Sequence, residues 1–237
     1  MELDNMRIIK RDRSVIPACD VPLELYERIV RETANIEGIG GYKVGFFLGL
    51  DYGLPKIVGI ARKYTDKPII YDHQKAGTDI PDMGGKFAKI CKKSGIDAVI
   101  LFPQSGPETE KAWIEAAKEE GLGVIVGGLM THLKYKKSEG GFLADESILE
   151  MYLIAADLGV KDFVVPGNRP DDIKRIREAL EEKGIAPRFY APGFVAQGGE
   201  ITEATKVAGN YWHAIVGRGI YRAEDIKKAA LEYTSKF

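Results

Sequence analysis

The feature that most limits how this chain can fold is an alternation: short β-branched runs recur along it, each followed by a longer stretch with helical periodicity. Such alternation marks parallel α/β structure, because two parallel strands must be joined by a crossover long enough to hold a helix. The runs are SVIPACD (14–20), GGYKVG (40–45), KPIIYD (67–72), DAVILF (97–102), GVIVGG (123–128), KDFVVP (161–166), PRFYAP (187–192) and HAIVGR (213–218). Their spacing is that of one strand–helix unit. The stretches between them carry independent helix signs. In DDIKRIREALEEKG, Ile173, Ile176 and Leu180 fall at helical spacing, Pro170 stands at the first turn and Gly184 can end the helix. PETEKAWIEAAKEEGLG repeats the pattern, with acids early and Gly121 at the end. Eight units in 237 residues, without a linker or low-complexity segment, predict a single α/β domain over 1–237, a (β/α)₈ TIM barrel. An open doubly wound sheet built from the same units is the alternative. Either way, chemistry belongs at the carboxyl ends of the strands.

Composition decides which partners to expect. With 45% apolar and 29% charged residues the chain is of ordinary globular type, which excludes disordered, collagenous and disulfide-scaffold classes. Thirty-four basic against thirty-five acidic side chains leave a formal charge of −1, so no net field favours a nucleic acid polymer or an anionic membrane. Any phosphate bound here must be held locally. Cys19 and Cys91 are the only cysteines, too few for a cysteine-rich zinc site or a secreted disulfide framework. The amino terminus is charged, and no apolar run approaches the roughly 20 residues of a membrane span, so a cytoplasmic protein is expected.

The residues at the strand ends are Asp20, Lys43, Asp72 with Lys75 and Asp79, Gln104, Thr131 with His132, Asn168 with Arg169, Gln197, and Gly217 with Arg218. Singly, each reads as a solvated loop residue or a helix cap. Asp79, just before Ile80 and Pro81, reads as a cap of the next helix, and Lys134, Lys136 and Lys137 read as a solvated charge run. Tyr42, Phe46 and Phe47 around Lys43 read as packing residues, as do Trp113 and Trp212, and His213 reads as structural. Together, however, they place cations and carboxylates around one mouth. APGFVAQGGEIT and HAIVGRGIY are the most informative segments, because they fall after the seventh and eighth strands, the two loops that commonly form a barrel's phosphate site. Glycines there let backbone amides approach an anion, Arg218 offers charge-assisted bonds to a phosphate, and Gln197 offers a neutral donor.

At this point the sequence resembles a known family. PGFVAQGGE and IVGRGIY are similar to the phosphate-gripping motifs of orotidine 5′-monophosphate decarboxylases, and GVKDFVVPGNRPDDIKRIRE resembles the sixth βα unit of the archaeal members. Asp20 resembles the family's first-strand aspartate, Lys43 its second-strand lysine, and Thr131-His132 the Ser-His pair after the fifth strand. The departure lies after the third strand. The family motif is Asp-x-Lys-x-x-Asp, whereas Asp72, Lys75 and Asp79 stand with one extra residue in each gap. Residues three apart on a strand point to opposite faces, so the chain is expected to bulge or turn after Asp72 for Asp72 and Lys75 to converge.

The resemblance implies decarboxylation of orotidine 5′-monophosphate without metal or organic cofactor. Lys75 would stabilise and protonate the ring carbanion, and Asp72 would hold that ammonium beside the substrate carboxylate. By the same resemblance Lys43 would bridge Asp72 and the ribose, Asp20 would accept a ribose hydroxyl, and Thr131 would face the pyrimidine edge. Gln197, Gly217 and Arg218 would hold the phosphate, with GFVAQGGEI as a lid and THLKYKKSEGG as a second mobile loop. Asp79 would act across the interface of a homodimer. Two rivals remain: a magnesium-dependent sugar-phosphate decarboxylase or aldolase, which calls for an acid where Lys43 stands, and a non-catalytic protein that keeps only the phosphate cup.

Overall fold

The computed structural model describes residues 7–73, 77–195 and 201–235. Its strands are β1 (Arg13–Pro17), β2 (Tyr42–Gly45), β3 (Ile69–Asp72), β4 (Ala98–Leu101), β5 (Gly123–Gly127), β6 (Asp162–Val164), β7 (Arg188–Pro192) and β8 (Trp212–Val216). The helices are α1 (Leu23–Thr33), α2 (Phe46–Tyr52), α3 (Leu54–Ala61), α4 (Met83–Lys93), α5 (Pro107–Glu119), α6 (Asp145–Asp157), α7 (Pro170–Glu182), α8 (Glu203–Ala208), α9 (Arg218–Tyr221) and α10 (Ile226–Thr234). All eight expected strands are present and pair in parallel in the order β1-β8-β7-β6-β5-β4-β3-β2. The ring closes between β1 and β2 through isolated bridges, Val15 opposite Ile39 and Ala18 opposite Lys43. The Cys19 amide donates to the Lys43 carbonyl at 2.8 Å across this seam. The barrel is therefore the architecture, and the open sheet is not.

Strand periodicity sorts the core into two shells. Ile16, Ile70, Ile100, Ile125, Val164 and Tyr190 form one cluster with Phe102 and Ile9, while their neighbours Val15, Ile69, Val99 and Val124 pack into the larger cluster shared with the helices. Alternate residues of a strand face opposite sides, so the first set fills the barrel and the second lies under the helices. Gly127 serves this filling: a Cβ there would lie 2.3 Å from the Phe102 ring, so only glycine leaves room for the aromatic side chain. The helices follow their sequence signs. Pro170 opens α7, which buries Ile173, Ile176 and Leu180, and Gly184 follows with a φ of 75°, a value glycine tolerates best.

Charges also enter the barrel at its amino-terminal end. Arg188 and Asp162 form a two-point ion pair, with Nε to Oδ1 at 2.8 Å, and the Tyr190 hydroxyl donates to the same Oδ1 at 2.9 Å. Beside them His213 Nδ1 lies 2.8 Å from the Ser14 hydroxyl and its ring is 4.6 Å from that of Tyr190. Burial holds the His213 pKa down to about 3, so the ring is neutral at physiological pH. His213 is thus structural, and Trp113 and Trp212 are buried packing residues. Phe46 and Phe47 depart from the packing expectation, being 58% and 45% exposed at the start of α2, whereas Tyr42 is fully buried. Alternation explains Tyr42, but Phe46 and Phe47 fall beyond the strand, on the short helix α2, where the described residues leave them partly uncovered.

Candidate active site

A cavity of about 320 Å³ opens at the carboxyl ends of the strands. Asp20, Lys43, Asp72, Thr131, Gly217 and Arg218 line it together with Phe102, Met130, Val165 and Pro166. Six expected site residues from five different strand ends therefore converge on one space.

The charged centre is built from β1, β2 and β3. Lys43 Nζ lies 2.6 Å from Asp72 Oδ2 and 3.5 Å from Asp20 Oδ2. The Lys43 and Asp72 side chains are 11% and 7% exposed, whereas Asp20 is 49% exposed and faces the opening. Burial works against the lysine charge, but the Asp72 and Asp20 carboxylates outweigh it and hold the Lys43 pKa above its ordinary value. Gly45 permits this arrangement, since a Cβ at that position would lie 2.2 Å from Asp20 Oδ1. Asp72 Oδ1 is buried and has no hydrogen-bond partner among the described residues. A buried carboxylate oxygen without a donor is costly, so this atom is poised to accept one more cation or N–H group. Cys19, beside the site, has its thiol pKa pushed up by burial and is no nucleophile.

β3 ends at Asp72, and the neighbouring His73 is no longer in the strand. The Tyr71 hydroxyl and His73 Nδ1 lie 2.9 Å apart, and the aromatic contacts continue through Phe87 to Trp113. Lys75 lies outside the described residues, as do Gln197 and most of the GFVAQGGEI segment. The chain is described again from Gly77, whose φ is 86°. Asp79 is exposed and is absent from the lining of its own chain's cavity. It does not cap α4, whose N-cap is Asp82; its Oδ1 instead accepts from the Ile80 amide at 2.7 Å. Two contacts from α5 fix the segment: Thr109 Oγ1 donates to the Asp79 carbonyl at 3.0 Å, and Trp113 Nε1 donates to the Ile80 carbonyl at 3.1 Å.

Arg218 follows β8 and is exposed at the cavity rim, with no carboxylate paired to it among the described residues. Arg169, expected at the mouth, is instead taken up in an ion pair with Glu139 and does not line the cavity. Lys136 likewise departs from the solvated reading: its side chain is 18% exposed and lies 3.2 Å from Asp172. Both departures have one cause: folding sets the loop after β5, with Lys136 and Glu139, against the start of α7, with Arg169 and Asp172, so that each cation meets the other segment's acid. Gln104 turns from the cavity to donate to the Tyr135 hydroxyl. Among the described residues no cluster of His, Cys, Asp or Glu is placed to hold a metal ion. No helix among them is long and apolar enough to cross a membrane.

Known proteins resemble this chain along most of their length. Residues 14–233 match the model of the orotidine 5′-phosphate decarboxylase / HUMPS family. A relative named orotidine 5′-phosphate decarboxylase from Methanosarcina mazei is 35% identical over 229 residues, 94% of each chain. One of the same name from Pyrococcus furiosus is 33% identical over 214 residues, covering 88% of this chain and 92% of that one. Among solved structures, the orotidine 5′-monophosphate decarboxylase of Methanocaldococcus jannaschii, complexed with the inhibitor BMP, superposes with a TM-score of 0.78 at 29% identity, covering 94% of this chain and 97% of that one. The Pyrococcus horikoshii OT3 enzyme gives 0.76 at 28% identity, covering 93% and 97%. A barrel that carries Lys43 clamped between Asp20 and Asp72, with Arg218 across the same cavity, therefore belongs to the orotidine 5′-phosphate decarboxylase / HUMPS family.

Proposed function

We propose that this chain is a cofactor-independent carboxy-lyase that converts orotidine 5′-monophosphate into uridine 5′-monophosphate and carbon dioxide, a step of pyrimidine biosynthesis in the cytoplasm. The observation that carries the reading is the Asp20–Lys43–Asp72 cluster, a largely buried cation between two carboxylates, facing Arg218, which has no carboxylate partner among the described residues, across one cavity in a member of this family. In the reaction the bond from ring carbon six to the carboxylate breaks and carbon dioxide leaves. The electron pair stays on the ring carbon and takes up a proton. The site must therefore stabilise a developing negative charge with fixed positive charge.

Lys75 supplies that proton and charge in this reading, and Asp72 holds its ammonium. Asp72 Oδ1 supports the assignment, because Oδ2 is already taken by Lys43 and no described residue donates to the second oxygen. Lys43 then bridges Asp72 and the ribose, Asp20 accepts a ribose hydroxyl, and Thr131 faces the pyrimidine edge. Arg218, Gly217 and Gln197 hold the phosphate, whose binding energy is spent on organising the site around a reacting carbon it does not touch. The working form is a homodimer in which Asp79 enters the partner's site. Its exposure outside its own cavity supports this, as do Phe46 and Leu50, 58% and 77% exposed beside the charged centre, and Ile80, 60% exposed next to Asp79.

A spectrophotometric assay with orotidine 5′-monophosphate, run with and without chelator, tests the proposal. Turnover indifferent to chelator is expected. Turnover lost in chelator favours the magnesium-dependent rival, and binding of uridine 5′-monophosphate without turnover favours a phosphate cup that has lost its chemistry.

A further inference from the structure

The loop that carries Thr131 is held by hydrogen bonds from its neighbour, and the bonds converge on the residues nearest the cavity. After β5 the chain runs from Gly128 to Ala144 before α6 begins, a long excursion whose exposed residues include Thr131, His132, Leu133 and Lys134. Left to itself, such a segment would sample many conformations and would not hold one side chain at a rim. Bonds of Leu129, Tyr135 and Ser138 pin its two ends, and the loop after β6 restrains the exposed stretch between them. Asn168 Nδ2 donates to the Thr131 carbonyl at 3.1 Å, and the adjacent Arg169 donates from Nη2 to the His132 carbonyl at 2.9 Å. The same guanidinium pairs through both terminal nitrogens with Glu139, further along the loop it holds. Lys136 and Asp172 extend the pair into a four-membered network, with Lys136 Nζ 3.7 Å from Glu139 and 3.2 Å from Asp172.

We propose that Arg169 is a positioning residue for the reaction, acting through the Thr131–His132 backbone rather than on the substrate. This rests on the functional reading above, in which Thr131 meets the pyrimidine. The guanidinium suits the task because its planar fork satisfies a carboxylate and a carbonyl at once, which a lysine ammonium does with less geometric control. Its own position is set at the mouth of α7, where Pro170 fixes the backbone direction immediately after it. Arg169 is thus fastened to the barrel on one side and clasps both the start and the later part of the loop on the other. The Arg169 bonds also hold the Glu139 carboxyl down at about 2, so the clasp keeps its charges throughout the pH range of an assay.

A double-mutant cycle tests this directly. Arg169→Ala is expected to lower kcat/KM roughly tenfold, chiefly through KM, while in a Thr131→Ala background the same change moves kcat/KM less than twofold, because coupled residues are non-additive. Arg169→Lys should recover part of the loss, and Glu139→Gln, which leaves the barrel side untouched, should reproduce it in weaker form. Hydrogen exchange of amides 129–135 should quicken in Arg169→Ala whether or not the chain turns over orotidine 5′-monophosphate. A full tenfold loss that persists in the Thr131→Ala background, or an Arg169→Ala enzyme with native KM, overturns the positioning role. Exchange that does not change overturns the clasp itself. An inactive wild-type chain whose Arg169→Ala variant shows the faster exchange would instead sink the functional reading and leave the clasp standing.

Discussion

Replacing Arg218 with alanine isolates the phosphate end of the site, because its side chain is exposed at the rim and engages no carboxylate among the described residues. Nothing in the described fold loses a partner when it is removed, so the change should act on binding and leave the barrel's stability nearly unaltered. A charge-assisted hydrogen bond contributes roughly 1.5–3 kcal/mol, and a guanidinium meets a phosphate through two parallel bonds. Taking the lower figure for each bond gives about 3 kcal/mol, which at ~1.4 kcal/mol per decade is a dissociation constant raised on the order of a hundredfold. Calorimetric titration of uridine 5′-monophosphate into both proteins reads this number, with thermal melts confirming that the variant is folded. The uridine nucleoside, lacking the phosphate, should bind both proteins equally weakly. A folded Arg218→Ala protein with an unchanged dissociation constant would refute the phosphate assignment and, with it, the orientation of the nucleotide in the cavity.

Other perturbations address the reacting end and the scaffold. Lys75→Ala should abolish turnover while leaving uridine 5′-monophosphate binding largely intact, since the lysine acts on charge present mainly in the transition state. Mixing inactive Lys75→Ala and Asp79→Ala chains should restore part of the activity through hybrid sites, and subunits that exchange without any recovery would remove Asp79 from the partner's site. Glu110, 1% exposed on α5 and with no hydrogen-bond partner for Oε1 among the described residues, has its pKa raised by burial to about 8 from an ordinary 4.5. The native state therefore keeps a proton that the unfolded chain releases above pH 4.5, and stability falls as pH rises through the interval to 8, by up to ~1.4 kcal/mol per pH unit. Glu110→Gln should flatten that slope in melts taken between pH 5 and 8.5, and parallel curves for the two proteins would show that the carboxyl is not held neutral. Asp162→Ala removes the buried carboxylate shared by Arg188 and the Tyr190 hydroxyl and should destabilise the barrel by roughly 1.5–3 kcal/mol in urea, with an unchanged midpoint counting against its structural role.

Much of this molecule is written in local patterns. Eight β-branched runs with helical stretches between them dictate eight parallel strands, because the period of two in each run decides which side chains enter the barrel, as Ile70, Ile100 and Ile125 do, and which lie under the helices. Strand ends follow from the same runs, and so does the convergence of Asp20, Lys43, Asp72, Thr131 and Arg218, since a closed parallel barrel brings all its carboxyl ends to one rim. Other features had no local signature. Arg169 and Lys136 look like solvated loop cations until the fold sets Glu139 and Asp172 against them, and Asp162 and Arg188, at the first positions of their strands, look like surface charges until neighbouring strands stack them inside. Glu110 sits among the acids that sequence places at the solvated first turn of a helix, yet α5 buries it. Periodicity assigns a side chain to a face of its own element, but whether that face meets water, a partner charge or an apolar wall depends on elements tens of residues away. Burial and pairing are therefore properties of the assembled barrel, decided when its loops and strands come together.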